Sequence, residues 1–219
     1  MNGLFVTGTD TDVGKTWVGT NIIRQMKNRN INIIPRKPIE SGWPASRNDE
    51  QFTDAYRLAE AAGCLEKLVS VCPNRFVAAL SPVRAARMED SALSLQTIKT
   101  QCLRDLKEND FLYVEGAGGF YSPLVEDGLN ADFSSALNLP IVLIANNRLG
   151  CISQILLCCE AIEKRQLKLA AIVLNQVEKA TGDTAMNNEA DLKDYLSYPI
   201  FSLGHQQTTL PEPLIDLLY

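Results

Sequence analysis

The sequence predicts an α/β fold, a doubly wound and mostly parallel sheet with helices on both faces, from two observations. Short apolar runs alternate with amphipathic stretches of helical length, the pattern of buried strands joined by covering helices. The first of those runs, LFVT at Leu4 to Thr7, leads straight into a glycine-bounded loop and then into a helical stretch beginning WVGTNIIRQM.

Taken along the chain, Leu4 to Thr7, Ile31 to Pro35, Phe111 to Glu115, Pro140 to Ala145 and Leu169 to Asn175 read as strands, with Pro199 to Leu203 as a last one. Between them, Lys15 to Lys27, Glu50 to Ala62, Leu95 to Lys107 and Cys151 to Arg165 read as helices, and Glu189 to Leu196 as a weaker one. Lys179 to Asn188 is polar enough to predict a mobile surface loop. Sheets of this kind bind ligands outside the carboxyl ends of their strands. The chemistry is therefore expected on the segments that begin at Thr7, Arg36, Glu115, Asn146 and Asn175.

The chain has 219 residues, 46% of them hydrophobic and 21% charged, with neither an internal repeat nor a low-complexity linker. That length builds one substantial core, so one domain spanning 1–219 is expected. A net charge of -5 argues against a broad basic surface for nucleic acid, since such binding neutralises phosphates. No run approaches the roughly 18 apolar residues of a membrane span, and the start MNGLFVTGTD has no export signal, which predicts a cytoplasmic protein. The six cysteines include no CxxC pair and are expected as reduced thiols, with Cys158 and Cys159 as small hydrophobes on a helix. His205 is the only histidine, which excludes a zinc site built from several imidazoles.

The loop GTDTDVGKT, Gly8 to Thr16, has the context that a phosphate loop requires. Glycine lets backbone N–H groups curl around phosphate oxygens, and the following helix adds its positive end. Lys15 then reaches the β- and γ-phosphates, and the Thr16 hydroxyl can ligate magnesium. Five residues separate Gly8 from Gly14, one more than in the common spacing, so this is a variant form. Asp10 and Asp12 would repel a triphosphate, which predicts that the same loop also meets a metal or a cationic substrate.

Three further residues fall at the same edge. In FLYVEG the expected strand ends in Glu115, and the glycine run after it lets the backbone approach a ligand closely. In RKPIESGW, Pro38 disfavours helix at Lys37, holding that lysine extended at the end of a strand and aimed at the pocket. Asp54 opens DAYRLAEAAG and, taken alone, is an acidic residue at a helix start.

Together, GTDTDVGKT, KPIESG with Lys37 and Ser41, Asp54-Ala55, VEGAGG at Val114 to Gly119 and RLGCIS at Arg148 to Ser153 resemble the dethiobiotin synthetase family in order and spacing. The resemblance implies a homodimer of phosphate-loop subunits that converts diaminopelargonic acid, carbon dioxide and ATP into dethiobiotin, ADP and phosphate, with Mg2+ as cofactor. One substrate amine becomes a carbamate, a carbamate oxygen attacks the γ-phosphate, and the second amine closes the ring on the mixed anhydride. Lys15 and Lys37 would be the catalytic clamp, Thr16, Asp54 and Glu115 the metal ligands, and Thr11 and Ser41 hydrogen-bond partners of the reacting groups. ATP would contact Asp12, Val13, Gly14, Lys15, Thr16 and Trp17, together with Asp54, Glu115, Gly116, Ala117 and Gly118. Asn175 would read adenine, Gln176 would also bind ATP, and Gly204, His205 and Gln206 would close over the base. Leu149, Gly150, Cys151, Ile152 and Ser153 of the partner would receive the distal carboxylate of the substrate, at a helix N-terminus. Ser153 and Arg84 depart from the family, which carries asparagine and histidine there.

A partitioning or regulatory ATPase is the main alternative. Those proteins carry a second lysine five positions before the GKT lysine, where this chain has Asp10. A GTPase would need an asparagine-lysine-x-aspartate reader, and Asn146, Asn147, Arg148 and Leu149 supply no aspartate.

Overall fold

The structure is a computed structural model and describes residues 2–179 and 186–219. Six strands form one parallel sheet: β1 (Asn2–Gly8), β2 (Ile33–Arg36), β5 (Phe111–Gly119), β8 (Ile141–Asn146), β9 (Leu169–Asn175) and β10 (Ile200–Leu203). Two small pairs stand apart from it, β3 (Ile39–Ser41) with β4 (Asn74–Phe76) and β6 (Pro123–Val125) with β7 (Gly128–Leu129). The helices are α1 (Lys15–Asn28), α2 (Asp54–Ala62), α3 (Leu68–Val71), α4 (Pro82–Met88), α5 (Leu95–Leu103), α6 (Asn130–Leu137), α7 (Cys151–Lys164), α8 (Asn188–Lys193) and α9 (Glu212–Leu217).

The strand order β10-β9-β8-β1-β5-β2 puts β1 in the middle, between β8 and β5. Its central residues are apolar on both sides because both faces are covered. Leu4 and Val6 pack with Val18, Ile22 and Met26 of α1 and with Leu214 of α9. Phe5 faces the other way and joins Leu112, Leu143, Phe133 of α6 and Ile155 of α7. The double winding expected from the alternating pattern is thus present. A third, smaller cluster holds Trp43, Ala55, Ala59 and Cys72 beneath α2.

Several boundaries differ from expectation for local reasons. The helix expected over Glu50 to Ala62 is two pieces, a 3-10 helix over Arg47–Phe52 and then α2. Thr53 separates them in an extended conformation, and its hydroxyl accepts the Tyr56 N–H to cap α2. The helix expected to Lys107 ends at Leu103, because Arg104 is extended. The segment Glu189 to Leu196 forms the shorter α8, and the strand expected from Ile31 begins at Ile33. Residues 180–185 of the expected loop Lys179 to Asn188 lie outside the described residues. All six cysteines are free thiols, and burial raises the pKa of Cys72 and Cys102 well above the ordinary thiol value. Among the described residues, no helix is long and apolar enough to cross a membrane.

Candidate active site

The central strand delivers the phosphate loop to the carboxyl edge of the sheet. In register, Val6 of β1 lies opposite Glu115 of β5, and Gly8 opposite Gly119. The chain then turns through Asp12, at a φ of 57°, and Gly14, at a φ of 88°, before α1 starts at Lys15. Gly14 must be glycine on two counts. Its φ is left-handed, and a β-carbon there would fall 2.1 Å from Asn175 Nδ2. The same Asn175 amide donates to the Val13 carbonyl at 3.0 Å, so β9 holds the loop from below. Lys15 Nζ donates to the Asp10 carbonyl at 2.9 Å, folding the lysine back along its own loop.

Beside that loop, four elements converge on one point. Lys37, just past the end of β2, is 3% exposed. Its Nζ donates to Asp54 Oδ2 at 3.0 Å, Glu115 Oε1 at 2.7 Å and the Gly116 carbonyl at 3.3 Å. Thr16 of α1 donates its hydroxyl to the same Glu115 Oε1 at 2.7 Å. Asp54 arrives here because it is the first residue of α2, and the Glu40 carboxylate of β3 fixes that helix start. Glu40 Oε1 accepts from the Asp54 N–H at 2.8 Å and Oε2 from the Ala55 N–H at 2.9 Å.

The charges in this cluster are strongly coupled. Burial acts to lower the Lys37 pKa, but Asp54, Glu115 and Glu40 outweigh it and hold the ammonium well above the ordinary lysine range. Burial opposes ionisation of Asp54, yet the Lys37 ammonium prevails and its pKa is lowered. Lys15 goes the other way, brought down to about 8 by burial and by repulsion from Lys37. Glu40 is raised by burial, against the pull of Lys37.

Lys15, Thr16, Lys37, Glu40 and Asp54 line a cavity of about 430 Å³ that also takes in Thr11, Asp12, Ser41, Trp17, Ala117 and Gly118, a volume within the range usual for small-molecule sites. Glu115, fully buried, is not on its wall. A neighbouring cavity of about 220 Å³ is bounded by Asn175, Gln176, His205 and Gln206, and shares Gly14 and Trp17 with the first. Gly204 is tied to its own turn, its N–H donating to Gln207 Oε1 at 2.9 Å.

The segment Leu149 to Ser153 does not line this cavity within one chain. Ile152 and Ser153 face a separate groove with Leu156, Leu157 and Tyr195, and Leu149 is 87% exposed. Ser153 thus faces that groove, while Arg84 lines another with Arg87 and Glu126.

The donor set Thr16, Asp54 and Glu115 is all hard oxygen, and its two carboxylates already hold a cation, the Lys37 ammonium, so its chemistry fits Mg2+. Among the described residues no group of three or more His, Cys, Asp or Glu side chains could hold a metal alone. An ion here would draw its remaining ligands from phosphate oxygens and water.

Sequence reasoning missed Glu40, Asn130 and Tyr113. Glu40 lies inside KPIESG but its partners are backbone groups, which no side-chain pattern announces. Asn130 clasps the glycine run, accepting from the Ala117 N–H at 3.1 Å and donating to the Gly119 carbonyl at 3.0 Å. Tyr113 stands two residues before Glu115, so strand alternation alone puts both on one face.

Known proteins share the sequence and the fold of this chain. A family model described as an AAA domain matches residues 2–205. The chain is 36% identical to the ATP-dependent dethiobiotin synthetase BioD of Caulobacter vibrioides (strain NA1000 / CB15N), covering 100% of this chain and 99% of that protein. It is 37% identical to the protein of the same name from Anaeromyxobacter sp. (strain K), over 88% of this chain and 84% of that one. Among solved structures, a nucleotide-binding protein of Archaeoglobus fulgidus in complex with ADP shares the fold, with a TM-score of 0.52 at 12% identity over 99% of this chain and 85% of that one. Similarity that runs from end to end at this level, on a sheet carrying the variant phosphate loop, establishes that the chain belongs to the dethiobiotin synthetase family.

Proposed function

We propose that this protein is an ATP-dependent, ring-closing ligase that makes dethiobiotin from diaminopelargonic acid and carbon dioxide, releasing ADP and phosphate. The observation that carries the reading is the meeting of Lys37, Asp54, Glu115 and Thr16 from four separate elements beside the phosphate loop. A switch or timer ATPase needs the loop. It has no evident need for a second buried lysine from β2 held between two carboxylates.

In the reaction, one amine of the substrate adds to carbon dioxide and loses a proton, giving a carbamate. A carbamate oxygen displaces ADP from the γ-phosphorus, and the second amine attacks the carbonyl of the carbamic-phosphoric anhydride. Phosphate leaves with the former carbamate oxygen, and the ring is closed. Little covalent work falls to the protein, so positioning and charge stabilisation carry the rate. Lys15, from the loop, binds the nucleotide phosphates in the ground state. Lys37 balances the charge that builds between carbamate and γ-phosphate. Thr11 and Ser41, on the cavity wall, hydrogen-bond the carbamate or the amines. The exposed carboxylate of Asp12 at the same wall favours a diamine over neutral analogues. Thr16, Asp54 and Glu115 would hold Mg2+, which supplies charge neutralisation at the β- and γ-phosphates. Adenine would lie in the smaller cavity, over Asn175 and Gln176 and against His205 and Gln206.

The functional unit in this reading is a two-fold dimer. Exposed Leu149 and Leu157 support it, since apolar side chains at a helix start and on its outer face gain from cover. Leu149 to Ser153 of the partner subunit then meets the distal carboxylate of the substrate.

The test is ATP turnover with and without the diamine and bicarbonate. A ligase is strongly stimulated by the two together; turnover that ignores them and responds to a macromolecule would identify a timer ATPase instead.

A further inference from the structure

We propose that Tyr113 is a positioning residue for the Glu115 carboxylate, and that position 19 is glycine because the Tyr113 hydroxyl occupies the space of its β-carbon. The proposal rests on reading Glu115 as a metal ligand. Glu115 is fully buried and is held at both oxygens by different donors. Thr16 and Lys37 each donate to Oε1 at 2.7 Å, whereas among the described residues Oε2 receives the Tyr113 hydroxyl alone, at 3.0 Å. Tyr113 is itself fully buried, its ring in the core beneath α1, and the hydroxyl is the donor its surroundings must satisfy.

Gly19 gives an independent observation. It sits within α1, where glycine is less favourable than alanine, and its φ is not left-handed, so backbone conformation does not require it. A β-carbon at that position would stand 1.8 Å from the Tyr113 hydroxyl oxygen and 3.2 Å from Glu115 Oε2. The helix gives up a methyl group so that the tyrosine can reach the carboxylate. With Oε2 tied to the core, Oε1 is the oxygen turned toward Thr16 and Lys37, which themselves line the cavity. Hydrogen bonds that orient a ligating carboxylate are typically worth about 10- to 100-fold in metal affinity.

Tyr113→Phe deletes the donor and keeps the ring. The measurement is ADP affinity by calorimetry across a series of free Mg2+ concentrations. The Mg2+-free affinity reports the phosphate loop, and the Mg2+ midpoint reports the ligand set. We expect Tyr113→Phe to raise the midpoint by about 10- to 100-fold, with Mg2+-free ADP affinity within about twofold of the parent. Gly19→Ala should raise it in the same direction, and by less in the Tyr113→Phe background, because the nearest atom struck by the new methyl has gone.

A midpoint unchanged in Tyr113→Phe overturns the proposal, as does an equal loss of Mg2+-free ADP affinity, which would mark a general packing role. Glu115→Gln separates the two layers. If it too leaves the midpoint unchanged, the metal reading falls and takes the proposal with it; if it raises the midpoint while Tyr113→Phe does not, only the positioning role falls.

Discussion

Replacing Lys37 by alanine separates ground-state from transition-state roles more sharply than any other single change. Lys37 is 3% exposed, and its ammonium is bonded to two carboxylates and a carbonyl. Its loss removes the ammonium bonded to both Asp54 and Glu115 and leaves them the longer-range charge of Lys15. Removing one partner of a buried ion pair costs about 3–5 kcal/mol. The Asp54 side chain is 39% exposed, so solvent screens its share and the low end, about 3 kcal/mol, applies. For a chain of this length that lowers Tm by roughly 6–12 °C, and added Mg2+ should recover part of the loss by neutralising the same carboxylates. Catalysis should suffer more. Loss of one well-placed stabiliser of transition-state charge is typically about a hundredfold to a thousandfold, or ~3–4 kcal/mol. ATP affinity should stay within about tenfold, ~1.4 kcal/mol, because Lys15 and the loop amides remain. Lys37→Gln should fail similarly, since an amide donates a hydrogen bond without a positive charge. Equilibrium ATP binding beside single-turnover product formation decides the matter. Equal losses of binding and chemistry in Lys37→Ala would make its role ground-state anchoring and refute the reasoning.

Three other outcomes follow from the same geometry. Lys15, with its pKa brought down to about 8, gains a proton-stabilising partner when phosphate binds. Its bound pKa is therefore higher, so ADP affinity is full below pH 8 and falls as pH rises above it. Calorimetry at mildly alkaline pH in two buffers of different ionisation enthalpy should detect proton uptake, and no uptake would contradict the shift. Glu40→Gln leaves one acceptor for the two N–H groups at the start of α2, costing about 1–2 kcal/mol, or roughly 2–8 °C in Tm. An unchanged thermal melt would show that α2 needs no such cap. Mixing Lys37→Ala subunits with Ser153→Glu subunits should restore part of the activity through hybrid sites; confirmed heterodimers without recovery would count against a shared pocket.

Much of the fold was legible because the central strands are long and apolar on both faces. Leu4 to Thr7, Phe111 to Glu115, Pro140 to Ala145 and Leu169 to Asn175 could hardly be anything but buried strands. The short elements were not legible. β3 and β4 have three residues each, too few to show a period, and they pair only because the chain returns beside Ile39 from residue 74. α6, NADFSSAL, mixes its apolar residues with serines that bond back to Ala131, so its helical pattern is weak in sequence.

The site divided along the same line. Gly8 to Thr16 carried its chemistry in one contiguous stretch, and Lys37 stood just past a recognisable strand end, whereas the strand expected to stop at Glu115 runs on to Gly119. Asp54 had no local signal, since its place depends on Thr53 ending one helix and Glu40 anchoring the next. Long-range partners such as Tyr113 with Gly19, and Asn130 with Ala117, emerge only when the sheet is assembled.

The central claim is that a carbamate oxygen, and not water, attacks the γ-phosphate. A single turnover with ATP, the diamine and 18O-labelled carbon dioxide in unlabelled water, quenched before the label exchanges, tests it directly through the mass of the released phosphate. The account predicts one 18O atom in each phosphate formed with the cyclic product. Phosphate carrying oxygen from solvent alone, formed at the same rate without the diamine, would contradict it and return the chain to the class of simple ATPases.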